Sequence, residues 1–169
     1  MRIVFLSHGQ NLGGAERCLV EAVRGLMSKG HDVGVIVPSE GDLAPVLRAH
    51  GASVFVIASR WWVHNASKGL AWPLRVRYTA SHFQAAFQIA RVVRGFKSEV
   101  VITNSMTVAT GALAAKLCGI PHGWYIHEFG ERDHELRFDL GARFCFWYID
   151  RMSAKVIVNS KAVYQYIEY

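Results

Sequence analysis

Two neighbouring glycines, Gly13 and Gly14, stand directly before a predicted helix that begins at Ala15. Glycines at a helix N-terminus let an anion approach the backbone N–H groups and the positive end of the helix dipole. Their spacing is not that of a dinucleotide-binding G-x-G-x-x-G, and no Gly-Lys-Ser/Thr of a P-loop follows them. Their position favours contact with a phosphate group, and the alternative is a flexible turn without a ligand.

His127 and Glu128 directly follow an apolar segment, and the imidazole there has two interpretations. Near neutral pH a histidine can donate a hydrogen bond to a hydroxyl group or accept its proton. The alternative is a histidine whose ring is satisfied by a backbone carbonyl group. Both interpretations stay open on the sequence alone.

Asn104 and Ser105 follow another apolar segment in the same way. Their side chains can hydrogen-bond a sugar or a phosphate, or they can cap the next helix. The same two roles apply to Ser160, which stands directly before the last predicted helix, and there capping is the favoured one.

Neither a metal site nor a disulfide is predicted from the cysteines and histidines. The three cysteines stand far apart without a C-x-x-C pair, which favours free thiols in a reducing cytoplasm. The histidines lack metal-ligand spacing with cysteines or acidic residues. No G-x-S-x-G nucleophile elbow occurs either.

The elements that hold these side chains alternate between strand and helix patterns. Apolar segments predict strands at residues 2–7, 32–38, 53–57, 99–103, 121–127 and 155–159. Helices are predicted between and after them, from residue 15 to a glycine cap at 30 and at 43–50, 73–96, 107–118, 134–152 and 161 to the end. Residues 1–169 therefore predict one α/β domain, a Rossmann-like, doubly wound parallel sheet of about six strands with helices on both faces. Ligands bind beyond the carboxyl ends of such strands, where the polar residues above are placed.

Positive charge is concentrated in the middle of the chain. The net charge is +6, and residues 43–98 hold eight Lys and Arg but no Asp or Glu. The same block contains Trp61, Trp62 and Trp72. A basic and aromatic surface indicates an anionic partner, namely a membrane surface, a phosphate-bearing ligand or a nucleic acid. The alternative is that these cations only solvate one face of a helix.

The predicted helix at 73–96 has an apolar stripe that should pack on the sheet. Its members are Phe83, Ala86, Phe87, Ala90 and Val93. No apolar run in the chain approaches the roughly 20 residues of a membrane-spanning helix. The opening residues predict a strand rather than a signal peptide. Because the sequence stops within or just after its last predicted helix, we expect a domain of a longer protein.

Six segments, in this order, resemble the N-terminal domain of a GT-B glycosyltransferase, and more narrowly the retaining glycosyltransferase family 4. They are residues 2–7, 11–17, 30–33, 117–121, 125–128 and 156–160. The Gly-Gly-Ala-Glu element at 13–16 is fairly specific, whereas the other segments carry weight mainly through their order. The resemblance spans essentially all 169 residues.

The resemblance implies one half of a two-domain enzyme. In such enzymes the N-terminal domain holds the acceptor, and a C-terminal domain with a paired-glutamate motif grips a nucleotide-sugar. Gly13 and Gly14 would approach the donor diphosphate, and His127 would lie near the transferred sugar. Lesser candidates for acceptor or sugar contacts are Asn104, Ser105 and Glu128. No metal or other cofactor is implied, and without the donor-binding domain we expect no catalysis by these residues alone.

The implied function is acceptor binding during retaining transfer of a sugar from a nucleotide-sugar to a glycan, lipid or small molecule, in cell-envelope or polysaccharide biosynthesis. The basic and aromatic surface would then dock on anionic lipid at the cytoplasmic face of a membrane. Its candidate residues are Trp61, Trp62, Trp72, Arg75 and Arg77. The alternative function is a stand-alone Rossmann-like module that binds an anionic ligand or a membrane without catalysis. Nucleic-acid binding ranks last, because no helix-turn-helix or RNA-binding signature occurs.

Overall fold

The computed structural model of the chain describes residues 1–65, 72–129 and 136–167. Its strands are β1 Arg2–Ser7, β2 Asp32–Val37, β3 Ser53–Val56, β4 Val63–Asn65, β5 Val100–Asn104, β6 His122–Ile126, β7 Leu136–Phe138 and β8 Lys155–Val158. Its helices are α1 Gly14–Ser28, α2 Leu43–Ala49, α3 Trp72–Gly95, α4 Thr110–Cys118, α5 Ala142–Met152 and α6 Lys161–Ile167.

Six of the strands form one parallel sheet in the order β3-β2-β1-β5-β6-β8, which confirms the predicted fold. The chain builds outward from β1 to β3 and then returns to the other side of β1 at β5. The strand order therefore reverses between β1 and β5, and ligands bind at such a switch point. The register places Ser7, the last residue of β1, opposite Asn104, the last residue of β5. The loops that follow these two residues therefore begin side by side at one edge of the sheet.

Helices cover both faces of the sheet because alternate side chains of each central strand point in opposite directions. Phe5 of β1 packs on one face in a cluster with Leu19 of α1. Its neighbour Leu6 packs on the other face in a cluster with Ile89 of α3. Two predicted end signals are also present. Gly30 follows α1 with a left-handed φ of +79°, and Ser160 Oγ accepts the Val163 N–H at the start of α6 over 3.2 Å.

A short antiparallel pair, β4 with β7, is absent from the prediction. A further hydrogen bond stabilises this pair, because the backbone N–H of Asp139 donates to the Trp62 carbonyl oxygen over 2.8 Å. The predicted helix at 134–152 is therefore wrong in its first part, because residues 136–138 form β7 and α5 begins only at Ala142. Residues 134 and 135 lie outside the described residues.

The predicted stripe of α3 is only partly buried. Ala86, Ala90 and Val93 are buried, but Phe83 and Phe87 are 51% and 58% exposed. The buried alanines lie where α3 meets the alanine-rich helix α4, and small side chains there let the two helices approach closely. The bulky Phe83 and Phe87 are left facing solvent. Among the described residues, no helix is long and apolar enough to cross a membrane.

Candidate functional site

His8, the first residue after β1, connects three segments at the switch point. Its Nδ1 lies 3.2 Å from the Asn104 carbonyl oxygen. A carbonyl oxygen can only accept, so Nδ1 carries the proton of this hydrogen bond. Trp61 Nε1 donates to the carbonyl oxygen of His8 itself over 2.9 Å. The sequence prediction did not single out His8, although it lies in the loop that carries the glycines.

Glu16 places a buried carboxylate beneath this loop. The residue is only 4% exposed, and its Oε1 lies 3.0 Å from His8 Nδ1. The hydrogen on His8 Nδ1 is directed at the Asn104 carbonyl group, so Glu16 Oε1 accepts no hydrogen bond among the described residues. A negative charge in the first turn of α1 is favoured by the helix dipole. The sequence could have indicated that Glu16 is buried, because Glu16 lies on the same helix face as the buried Leu19 and Val23.

The glycines of the loop have different surroundings. A Cβ at Gly13 would lie 2.7 Å from Glu16 Oε2, and a Cβ at Gly9 would lie 2.8 Å from Glu16 Oε1. A Cβ at Gly14 would meet nothing within 4 Å. Gly13 therefore has a structural reason within the chain, since its missing side chain makes room for the carboxylate. Gly14 leaves open space at the N-terminus of α1, where backbone N–H groups lack helical partners.

Asn104 joins β5 to α1 and to His127. Its Nδ2 donates to the Ala15 carbonyl oxygen over 3.1 Å, and its Oδ1 faces His127 Nε2 at 2.9 Å. Because Oδ1 can only accept, His127 Nε2 carries a proton. Burial lowers the pKa of His127, the Glu128 charge partly opposes this, and His8 lowers the pKa further. The ring is therefore neutral at pH 7, and its Nδ1 is a lone-pair acceptor without a partner among the described residues.

Glu128 ties the end of β6 to the loop after β5. Its Oε2 accepts the backbone N–H of Met106 over 3.3 Å and that of His127 over 3.2 Å. Its Oε1 is buried without a hydrogen bond in the described part of the chain. One carboxylate oxygen thus holds two backbone N–H groups, and the other has unused hydrogen-bonding capacity within the described residues.

Ser105 is buried and holds the turn after β5. Its φ is +142°, a region that residues other than glycine rarely adopt. The indole Nε1 of Trp124 donates to the Ser105 carbonyl oxygen over 2.8 Å, and Ser105 Oγ lies 2.7 Å from Thr107 Oγ1. Its Oγ also accepts the Thr107 N–H. The Ser105 hydroxyl group, which was predicted for ligand contact or capping, is engaged in this turn, five residues before α4 begins.

The sequence model of the family Glycosyltransferase Family 4 matches residues 12–169, a range that includes Gly13, Gly14, Asn104 and His127. The chain belongs to glycosyltransferase family 4. No curated protein matches this family 4 chain in sequence.

Solved structures share the fold of this family 4 chain at low identity. Anabaena Alr3699/HepE in complex with UDP and glucose superimposes with a TM-score of 0.74 at 18% identity, over 99% of this chain and 40% of that one. A glycosyltransferase from Rickettsia africae ESF-5 gives 0.68 at 19% identity, over 98% and 38%. MurG of Acinetobacter baumannii gives 0.61 at 21%, over 93% and 40%. The chain thus has a GT-B N-terminal type of fold and spans about 40% of the length of these proteins.

The residues predicted to face a membrane separate into three groups in this family 4 chain. Trp61 is 42% exposed, beside the His8 loop. Trp62 is buried, so its predicted membrane contact is wrong. It stacks on Trp124 with ring centroids 6.4 Å apart, and its Nε1 donates to the Met106 carbonyl oxygen over 2.6 Å. Trp72, Arg75 and Arg77 fall in the first turns of α3, where the side chains lie outside the described part of the chain.

The described part of the family 4 chain offers no evident metal site. Residues 1–65, 72–129 and 136–167 contain no cluster of three or more His, Cys, Asp or Glu side chains arranged as ligands. What the switch point offers instead is an open helix N-terminus, a neutral imidazole held by an amide, and a carboxylate oxygen. The helix N-terminus suits an anion, whereas the imidazole nitrogen and the carboxylate oxygen suit a hydroxyl group that donates to them.

Proposed function

We propose that this chain is the acceptor-side domain of a retaining glycosyltransferase that uses a nucleotide-sugar donor. The observation that carries the proposal is the family 4 match over residues 12–169. The acceptor would be a glycan, a lipid or a small molecule, and the reaction would serve cell-envelope or polysaccharide biosynthesis. The reaction would use no metal or other cofactor.

The open N-terminus of α1 is the proposed place of the donor diphosphate. Gly14 leaves space there, and amide groups in the first helical turn stabilise the charge that develops on the leaving diphosphate. The buried Glu16 carboxylate lies on the inner side of the same turn. Gly13 makes room for the Glu16 side chain, and we propose that the backbone of Gly13 contacts the phosphate.

His127 is the proposed positioning residue for the transferred sugar. Its Nε2 proton is held by Asn104, so the ring offers Nδ1 as an acceptor for a sugar hydroxyl. A hydroxyl that reaches Nδ1 replaces the protein atoms that now shield this nitrogen from solvent. The lowered pKa of His127 keeps the acceptor available at neutral pH. Glu128 Oε1 is the second acceptor proposed for the same ligand.

A donor-binding domain completes the proposed enzyme. The chain spans about 40% of the solved glycosyltransferases that it resembles, which leaves length for a second domain in each of them. We therefore expect turnover from the complete polypeptide and none from residues 1–169 alone. The proposed location is the cytoplasmic face of a membrane, supported by exposed Trp61 and by the eight basic residues in 43–98.

The experiment is a donor screen with the complete polypeptide. UDP-, GDP- and dTDP-sugars are incubated with glycan, polyprenyl-phosphate and small alcohol acceptors, and released nucleoside diphosphate and product anomers are measured. We expect one donor to give acceptor-dependent release with a retained anomeric configuration. Release from no donor would contradict the transferase proposal, and an inverted product would contradict the retaining one. Residues 1–169 tested in parallel should bind diphosphate without turnover.

A further inference from the structure

A cavity lies between α3, α4 and α5, apart from Gly13, Gly14 and His127. Its volume is about 220 Å³. Apolar side chains form most of its wall, including Trp62, Phe83, Leu113, Leu140, Phe144 and Tyr148. None of Gly13, Gly14, Asn104, His127 and Glu128 lines it.

Two side chains of this wall, Thr110 and His82, each carry a polar atom that has no hydrogen-bond partner among the described residues. Thr110 is 1% exposed, and its Oγ1 has no hydrogen-bond partner there. His82 Nδ1 is likewise shielded from solvent and unpartnered. Buried polar atoms are nearly always hydrogen-bonded in folded proteins. Thr110 and His82 both line this cavity, so an occupant that displaces the atoms now shielding Oγ1 and Nδ1 can hydrogen-bond to them.

A charged side chain in the cavity wall limits the chemistry of the occupant. Asp139 also lines the cavity, and its Oδ1 lies 2.6 Å from His64 Nδ1. A carboxylate in the wall disfavours an anion, and its pairing with His64 removes the need for a cation. A hydroxyl group suits the site better, because it can both donate to and accept from the unsatisfied Thr110 and His82 atoms.

The size and opening of the cavity suit a small ring. An apolar cavity of about 150 Å³ is known to hold benzene. The larger cavity here therefore accommodates a saturated or fused ring with one substituent. Phe83, Leu140 and Phe144 line it and are also exposed, so the ligand has a path from solvent. We propose that this pocket binds an uncharged, mainly apolar ring compound whose hydroxyl group hydrogen-bonds Thr110 and His82.

Cyclohexanol is the probe, and methylcyclohexane is the matched compound without the hydroxyl group. Binding is followed by amide chemical-shift titration of the isotope-labelled chain. We expect saturable shifts concentrated around Leu113 and Asp139. Shifts that scatter over the surface or fail to saturate would overturn the proposal.

Two phenylalanines one turn apart on α3 provide a matched control. Phe83→Ala removes a wall residue, and we expect the dissociation constant for cyclohexanol to rise about tenfold. Phe87→Ala removes an equally exposed ring that does not line the cavity, and the constant should stay within about twofold. Equal effects of the two substitutions would contradict the pocket.

Thr110→Val tests the hydroxyl contact without changing the shape of the wall. The loss of one typical hydrogen bond should reduce the binding preference for cyclohexanol over methylcyclohexane about fivefold. Binding of methylcyclohexane should be unchanged or tighter. An unchanged preference would show that the pocket is only apolar and would overturn the proposed ligand class.

Discussion

A side chain at Gly13 would place its Cβ 2.7 Å from Glu16 Oε2, so the buried carboxylate occupies the space that such a side chain would need. Gly13 and Glu16 both lie in the Gly-Gly-Ala-Glu element that carries much of the resemblance to family 4. The first glycine is thus explained by packing inside the chain, whereas the second leaves open space. The two glycines can therefore be separated by experiment.

Gly13→Ala should destabilise the fold by about 1–3 kcal/mol, because the new methyl group overlaps the Glu16 carboxylate. In a Glu16→Ala background the same substitution should cost much less, since the overlapping atoms are gone. The measurement is urea unfolding of the wild type, both single variants and the double variant. Equal costs of Gly13→Ala in both backgrounds would contradict the packing account.

Gly14→Ala should leave stability unchanged or raise it by up to about 1 kcal/mol, because alanine is the better helix former and the space is open. In the complete glycosyltransferase the same methyl group should raise KM for the nucleotide-sugar, since it fills the space proposed for the diphosphate. Steady-state kinetics at varied donor concentration test this. An unchanged KM in a stably folded Gly14→Ala variant would argue against diphosphate contact at this helix.

Much of the fold could be predicted from the sequence, because continuous apolar segments such as 2–7 identify buried parallel strands. The placement of Asn104 and His127 at the carboxyl ends of strands was also predicted, whereas the contact of Asn104 Oδ1 with His127 Nε2 over 2.9 Å was not. The pair of β4 and β7 did not, because each strand has three residues and they join distant parts of the chain. Glu16 was missed because charged residues are usually exposed, and only the surrounding glycines make its burial feasible.

Stability should fall as the pH is lowered below about 6.5, mainly because of His122. Burial lowers the pKa of His122 to about 3, and its Nε2 lies 2.8 Å from Thr103 Oγ1. The unfolded chain takes up this proton near pH 6.5, whereas the folded chain does not. The stabilisation is therefore complete above pH 6.5 and declines toward pH 3, by up to about 1.4 kcal/mol per pH unit.

Urea unfolding at several pH values measures this slope. The lowered pKa of His127 contributes in the same direction, so the two groups must be separated. His122→Gln should flatten the slope more than His127→Gln does. A slope that is unchanged in His122→Gln would contradict the assignment.

Membrane binding should depend on charge in the block 43–98. Arg75→Ala and Arg77→Ala should each weaken binding to phosphatidylglycerol vesicles about fivefold, because a cation near anionic lipid contributes about 1 kcal/mol. Arg24→Ala is the control, since this exposed side chain lies on α1 and pairs with Glu21. Vesicle sedimentation measures binding. Equal binding to anionic and neutral vesicles would contradict the membrane proposal.

The central claim is that His127 positions the transferred sugar in a glycosyltransferase. It is tested most directly by comparing nucleoside diphosphate release by the complete polypeptide with His127→Ala and with His50→Ala, whose residue is exposed at the end of α2. We expect His127→Ala to lower kcat about 100-fold, as loss of substrate positioning does, and His50→Ala to retain the wild-type rate. A folded His127→Ala enzyme that releases nucleoside diphosphate at the wild-type rate would contradict the claim.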